Sequence, residues 1–432
     1  MGWLSNWAYR RKITIDNTNI DSDLTHFPVP VPLGTSVGMS DQDVTDIFTE
    51  VGDDYSKIAV TMADGETQLY VEVEQWDATN NKGLLWVSRD TWSVLSGSDT
   101  EIYLYFDSEA LDNTTYVGIP GNQTEVWNSI FESVYTYAQD PSGGTGSIKD
   151  STSNANHLSP QTSMASGDLI DGLIGKGIRL DGSDDWLKGG GTTENFDSPY
   201  SVLCLFNLKT AIDSNQSNKV LFGKEDSSKG FSLLWTNDGG KLRWLTNNGN
   251  IQTAKNSWTA DTWYCLQAVQ RTNSDAEIWV DLTSEAFGNN GYSGYQNIAV
   301  EQGHREANPG GYLHIVYCHL RYVKDELSDA WRKADHHALT DNLLTWGATE
   351  QAATYKVAGV VKQDGNPVER TVRAYKRASG ELLGETTSLT DGRFEIELFS
   401  QDEVYAVALD DTSDADDFNA LIFDRIVPVS VD

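Results

Sequence analysis

The sequence predicts an all-β fold of three β-sandwich domains with one short helix near residues 328–340, on three observations. Apolar residues come in runs of strand length, many alternating with polar ones; in QLYVEVEQWD, Leu69, Val71 and Val73 fall on one face and Tyr70, Glu72 and Glu74 on the other. Turn formers separate these runs, with 37 Gly and only 4 Met, which favours short strands over helices. The chain has 432 residues, about three times the usual domain size.

The first domain is read as residues 1–124. YRRKITI begins a strand, and FPVPV follows as a second that its prolines confine to a sheet edge. QLYVEVEQWD, LLWVSRD and TEIYLYFD continue the pattern. In this order, the opening GWxxxWxYRRKITI and the YVEVEQWD, LLWVS and IYLYFD strands are similar to a β-sandwich domain of unassigned function that precedes laminin-G-like domains in microbial surface and phage proteins.

The second domain is read as residues 125–351 and turns on the stretch GLIGKGIRLDGSDDWLKGGG. Ile178 and Leu180 make a buried strand, Asp181, Gly182, Asp184 and Asp185 a tight acidic turn, and Trp186 and Leu187 restart the apolar pattern. The expectation is a hairpin whose turn sets the register of the core. Strands follow at YSVLCLFNL, KVLFGKE, FSLLWTN, LRWLTNN, WYCLQAVQ, AEIWVDL and LHIVYCHLRYV, with turn clusters between them, as in a closed two-sheet sandwich. Ser328 caps a helix, DAWRKADHHAL, whose inner side carries Trp331, Ala334 and Ala338. LTWGATEQ then returns toward the first domain, so the two sandwiches are expected to pack as one body. The glycines, the buried strand, the LDGSDDWL turn and the late helix resemble the laminin-G-like, concanavalin A-like jelly roll, and the resemblance implies a binding scaffold.

The third domain, residues 355–432, alternates strands with the turns DGNP, SG and TDG. Gly359, Pro367, Arg373, Tyr375, Gly380, Thr390, Asp391, Gly392, Phe394 and Tyr405 carry a similarity to the transthyretin-like, carboxypeptidase-regulatory-type sandwich. The ending VYAVALDDTSDADDFNALIFDRIVPV resembles this module's tail in bacteriophage virion proteins.

Charge excludes one class of partner. With 31 Lys plus Arg against 64 Asp plus Glu, the net charge of −33 repels phosphate backbones and anionic head groups; nucleic acid and membrane insertion are not expected, and no apolar run reaches the length of a span. Cys204, Cys265 and Cys318 sit in apolar strands without CxxC spacing and read as buried free thiols. The resemblance of the C-terminal tail implies a virion location, and the absence of an apolar leader after Met1 fits it, since virion proteins assemble in the host cytoplasm.

Four constellations could carry chemistry. Glu72 and Glu74, with Asp77 beyond, are carboxylates of the kind a glycosidase sets about 5 to 9 Å apart; the competing reading is a solvated strand face. Asp181, Asp184 and Asp185, with Asp150 in the earlier DSTSNANHL turn, could give hard oxygens to Ca2+, while tight turns demand the same residue types for backbone reasons. His336 and His337 are adjacent on a helix and diverge, which is wrong for one metal. Tyr292 and Tyr295 in NNGYSGYQN, and Trp258, are candidate exposed aromatics for stacking on sugar rings, with core packing as the alternative.

Together these predict a non-enzymatic phage virion structural protein, displayed in the tail or adsorption apparatus, that binds carbohydrate or the host surface through its jelly roll. Its expected partners are other virion proteins, further copies of itself and a host glycan. A capsid or tail decoration or fibre protein, and a polysaccharide depolymerase, are the alternatives.

Overall fold

The computed structural model describes residues 2–430, apart from 191–195, 214–217, 226–229, 237–238, 247, 295–297, 305–310, 353–354, 400 and 410–420. The protein is all-β, as its sequence patterns predict, with strands arranged in several layers.

The first unit is an eight-stranded sheet built around the long strand Gln68–Asp77. Its start pairs with Ile58–Met62 and the remainder with Lys82–Ser88. The proline-bearing strand Val29–Leu33 stands at one end of the order, where missing N–H groups cost no ladder bond. At the other end stands Leu344–Gln351, paired with Tyr9–Ile15. The strand expected to close the second domain therefore completes the first one's sheet, and the chain leaves that sheet and returns to it. A short helix, Asp46–Val51, was not foreseen; it buries Ile47, Phe48 and Val51 on the same core.

The second unit has two sheets. One runs in the order 169–171, 176–181, 314–323, 200–208, 262–272, 275–280, 283–288, with 131–135 added beside 314–323. The other has seven strands, in the order 158–160, 187–189, 301–302, 219–225, 230–235, 242–246, 249–252. Between them lies a core containing Phe206, Phe231, Trp235, Trp244 and Tyr317. Tyr200–Leu208 is buried at every position: Val202, Cys204 and Phe206 enter this core, while Leu203 and Leu205 enter the core shared with the first unit. A run without polar alternation is what a strand covered on both faces requires.

The helix Asp329–Leu339 sits at that junction. Ser328 caps it through its hydroxyl, which accepts from the Trp331 amide. Trp331, Ala334 and Ala338 are buried as expected, and the Trp331 ring meets Phe27 of the first unit edge-on at 5.0 Å. One apolar cluster thus joins strands of the first unit, the helix and the outer face of the second unit's sheet.

The acidic turn corrects the hairpin expectation. Lys176–Asp181 pairs with 169–171 and 314–323 in one sheet, whereas Leu187–Gly189 pairs with 158–160 and 301–302 in the other. The turn is an arch that carries the chain between layers, with Gly182 at φ +80° at its start. Periodicity identifies strands but not partners, and beside its nearer neighbour each arm has a second partner, 314–323 or 301–302, more than a hundred residues on.

C-terminal to these, strands 355–360, 393–398 and 429–430 form one small sheet and 371–376, 382–387, 404–408 and 421–426 another. Val357, Val372, Phe394, Ile396 and Val404 share the core they enclose.

Candidate functional site

The arch lies at an open end of the second unit. Asp181 ends its strand opposite His314, and its Oδ1 accepts from the amides of Ser183 at 2.8 Å and Asp184 at 3.3 Å. Asp185 folds back so that its Oδ2 accepts from the Asp181 amide at 3.1 Å, while Oδ1 accepts from the Thr162 hydroxyl at 3.0 Å. Carboxylate oxygens of Asp181, Asp184 and Asp185 then lie within 4.8 Å of one another, the first two residues exposed and the third buried. Burial pushes the Asp185 carboxyl up, and the negative charges of Asp181 and Asp168 add to this. At Asp181, burial opposes ionisation, but the amides of Ser183, Asp184 and Asp185 prevail and hold it below the usual carboxylate range. Three hard oxygens suit Ca2+, which takes roughly six to eight; the remainder would come from backbone, water or ligand.

Beside the trio is a hollow of about 150 Å³ bounded by Asp181, Thr210, Lys219, Tyr312 and His314. The Thr210 hydroxyl and His314 Nδ1 share a hydrogen bond at 3.2 Å, and Lys219 Nζ donates to the Tyr312 carbonyl. The Tyr312 ring stacks on His304 with centroids 4.0 Å apart.

Asp150 is elsewhere. Among the described residues, the carboxylate grouping contains Asp181, Asp184 and Asp185 without it. It is fully buried, and its two oxygens accept from the Val134, Thr152 and Asn156 amides and the Thr152 hydroxyl at 2.8–3.0 Å. Burial pushes its carboxyl up to about 6 against those bonds. It ties the first loop of the unit to its first strand, which is the turn-forming role rather than the ligand role.

Two of the three aromatic candidates, Trp258 and Tyr292, are corrected too. Trp258 is 1% exposed; its indole N–H donates to the Gly240 carbonyl at 2.9 Å and its ring packs on Trp235 and Tyr264. Tyr292 is 2% exposed, with its hydroxyl donating to the Phe196 carbonyl at 2.6 Å. Polar neighbours suggested exposure, but the loop turns inward. Asn290 is itself buried and exchanges amide hydrogen bonds with Gln270. Tyr295 lies outside the described residues.

Glu72 and Glu74 do not form a solvated strand face. They are buried where the first unit meets the second. Glu72 accepts from the Trp127 indole at 3.2 Å and the Ser151 hydroxyl at 3.0 Å, and Glu74 from the Trp86 indole at 2.7 Å and the Lys176 amide at 3.2 Å. Burial holds the Glu72 carboxyl well above its ordinary range and pushes Glu74 up to about 8. Close by, the guanidinium of Arg321 lies 4.9 Å from the Trp86 ring and 5.3 Å from Trp127, pairs with Asp335 and donates to His319 Nε2. Burial, then the Arg321 charge, keeps His319 well below its ordinary range. The packing of the two sandwiches follows expectation, but sequence reasoning missed the charged groups buried between them. Their signal was the placing of His319 and Arg321 inside the apolar run HIVYCHLRYV, since charges inside a core need partners. The three thiols are buried and free as expected, and burial pushes Cys318 up to about 12.

No family model matches the chain, and no curated protein matches it. Among solved structures, it is similar to domain 4 of the extracellular arabinanase AbnA from Geobacillus stearothermophilus, in complex with arabinotriose, at 15% identity and TM-score 0.38 over 48% of this chain and 97% of that one. It is also similar to the binding domain of Paraclostridial Mosquitocidal Protein 1, at 13% identity and TM-score 0.37 over 68% and 75%. A third likeness is to the botulinum neurotoxin serotype D binding domain, at 9% identity and TM-score 0.34 over 66% and 74%.

Proposed function

We propose that the chain is a non-enzymatic structural protein displayed on a phage particle, in its tail or adsorption apparatus, and that it binds carbohydrate on the host surface at the rim of its central sandwich. The observation that carries the binding half is the rim itself: three carboxylates within 4.8 Å stand beside a hollow edged by Lys219, Tyr312 and His314. Donors and acceptors around a small hollow suit a hydroxyl-rich ligand, and Asp181, Asp184 and Asp185 would hold a Ca2+ at its edge. The virion half rests on the sequence resemblance of the C-terminal module. Many copies on one particle would turn weak single-site contacts into firm attachment.

The test is binding of the purified chain to an array of bacterial surface polysaccharides, with Lys219→Ala and His314→Ala beside the parent. Retention by the parent, lost in both variants, supports the reading. Release of reducing ends from any bound polysaccharide would overturn it in favour of a depolymerase. A purely assembly-related role is favoured by one feature of the C-terminal module: Leu389, Ile422, Val427 and Val429 are 55–61% exposed. Self-association in sedimentation, with no polysaccharide retained, would select that alternative.

A further inference from the structure

The seam between the first two units opens on one side into a cleft of about 430 Å³, within the roughly 300–1,000 Å³ of small-molecule pockets. Segments distant in sequence meet there. Ile119 and Pro120 form an apolar wall, and Asn122, Gln139, Lys149 and His157 supply polar groups.

The hydrogen bonds already made decide what those groups can still offer. His157 Nδ1 accepts from the Asp150 amide at 3.1 Å, so the neutral ring carries its proton on Nε2. Burial, then the Lys149 charge, keeps that ring below its ordinary range and hence neutral. Gln139 Oε1 accepts from the Lys149 amide at 3.0 Å, which leaves its NH2 to donate. Lys149 Nζ gives one proton to the Gly146 carbonyl at 2.8 Å and keeps two. The residues lining the cleft therefore carry an ammonium and two further N–H donors not already used, in a chain of net charge −33.

Glu74 also borders the cleft, and its state matters. It is faced by Glu72 on its own strand, by the Trp86 indole, by the Lys176 amide, and by Arg321 and Cys318 of the opposite sheet. Burial outweighs the Arg321 attraction, so the carboxyl is mainly neutral at pH 7. Asp150, behind His157, has both oxygens occupied by the Val134, Thr152 and Asn156 donors.

We infer that this cleft binds a carboxylate-bearing sugar, with the carboxylate on Lys149, His157 and Gln139, the hydroxyls near Asn122, and the apolar face of the ring on Ile119 and Pro120. A neutral sugar would leave the ammonium without a counter-charge, and a bare carboxylate would leave the apolar wall and Asn122 unused. The site is separate from the rim and stands or falls independently of it.

The test is calorimetric titration of the full chain at pH 6.5 with glucuronate, glucose and acetate as probes. Saturable binding of glucuronate, at least tenfold tighter than either other probe, is expected. Lys149→Gln should weaken it tenfold or more, and Lys356→Gln, on the C-terminal unit, should leave it unchanged. Wild-type binding should fall as pH rises through about 8, where Glu74 ionises and repels the ligand; Glu74→Gln should hold its affinity to pH 9. Absent glucuronate binding, equal affinity for glucose or acetate, or full affinity in a folded Lys149→Gln would overturn the proposal. Should Lys149→Gln fail to fold, Gln139→Leu takes its place, with the same loss expected and full affinity again overturning the assignment.

Discussion

Glu72 and Glu74 on one strand, and Asp181, Asp184 and Asp185 on the arch, are the same chemical equipment, carboxylates a few residues apart, and the fold uses them in opposite ways. At the seam they are enclosed by a second sheet and driven toward the neutral form, with indole, amide and hydroxyl donors on their oxygens. At the arch, two of the three face water, and backbone amides keep Asp181 ionised. What separates them is where each stretch lies relative to the other sheets. A carboxylate that must stay charged to meet a cation needs water or backbone N–H groups, whereas one that joins two sheets can be neutral and act as a hydrogen-bonding spacer.

The contrast is broken most severely at Asp335. This residue and Arg321 are both fully buried and paired, beside Trp86 and Trp127. Asp335→Ala leaves a guanidinium enclosed without its counter-charge, which costs about 3–5 kcal/mol. Urea denaturation followed by tryptophan fluorescence should show it. At the wet margin of the same seam, Lys82 Nζ lies 2.7 Å from Asp171, both about half exposed. Lys82→Ala should cost no more than about 1 kcal/mol. Equal losses at the two positions would mean that the seam is not dry.

A smaller effect separates the regions by pH. The Glu74 carboxyl is raised from 4.5 to about 8 by folding. Its contribution to stability is complete below the unfolded value and is lost as pH rises toward and through the folded one. Stability should fall between about pH 5 and 8, by up to about 1.4 kcal/mol per pH unit for this proton, and level off above. Glu74→Gln, neutral at every pH, should flatten that slope. Glu72 contributes with the same sign, so part of the slope should remain. Denaturation midpoints from pH 5 to 9 test this, and an unchanged slope in the variant would place Glu74 in a wetter site than the structure gives it.

How much of this was legible in the sequence depended on whether the evidence was local. The strand run YSVLCLFNL, free of polar alternation, carries its two-sided burial in its own composition. Ser328 and the spacing of Trp331, Ala334 and Ala338 announce a capped helix with one buried face. The failures are all non-local. QLYVEVEQWD alternates as a half-exposed strand does, and nothing within it says that Trp127, Ser151 and Arg321 close over its polar face. LDGSDDWL has the residues of a hairpin turn, yet its two arms pair with different strands, 169–171 and 314–323 for one and 158–160 and 301–302 for the other, and so join different sheets. Trp258 sits among polar residues, but its indole finds the Gly240 carbonyl and the ring goes inside. The acidic trio was legible as a group, and Asp150 was wrongly joined to it because composition cannot say that its oxygens are already occupied.

The gentlest test concerns the arch. Asp184 is exposed. Replacing it with Asn should shift stability by no more than about 0.5 kcal/mol in chelator, unlike Asp335→Ala at the seam. With Ca2+ at ten times its Kd, linkage adds about 1.4 kcal/mol to the parent, read as a melting temperature a few degrees higher than in chelator. Asp184→Asn should lose that rise. Asp150→Asn should keep it, although weakened turn bonds would lower its melting temperature in both conditions. The two variants therefore distinguish a ligand from a turn former by calcium dependence rather than by stability alone. A parent whose melting temperature is the same in Ca2+ and in chelator would leave the three carboxylates with backbone geometry as their whole purpose, and the contrast with the seam would then be one of solvation only.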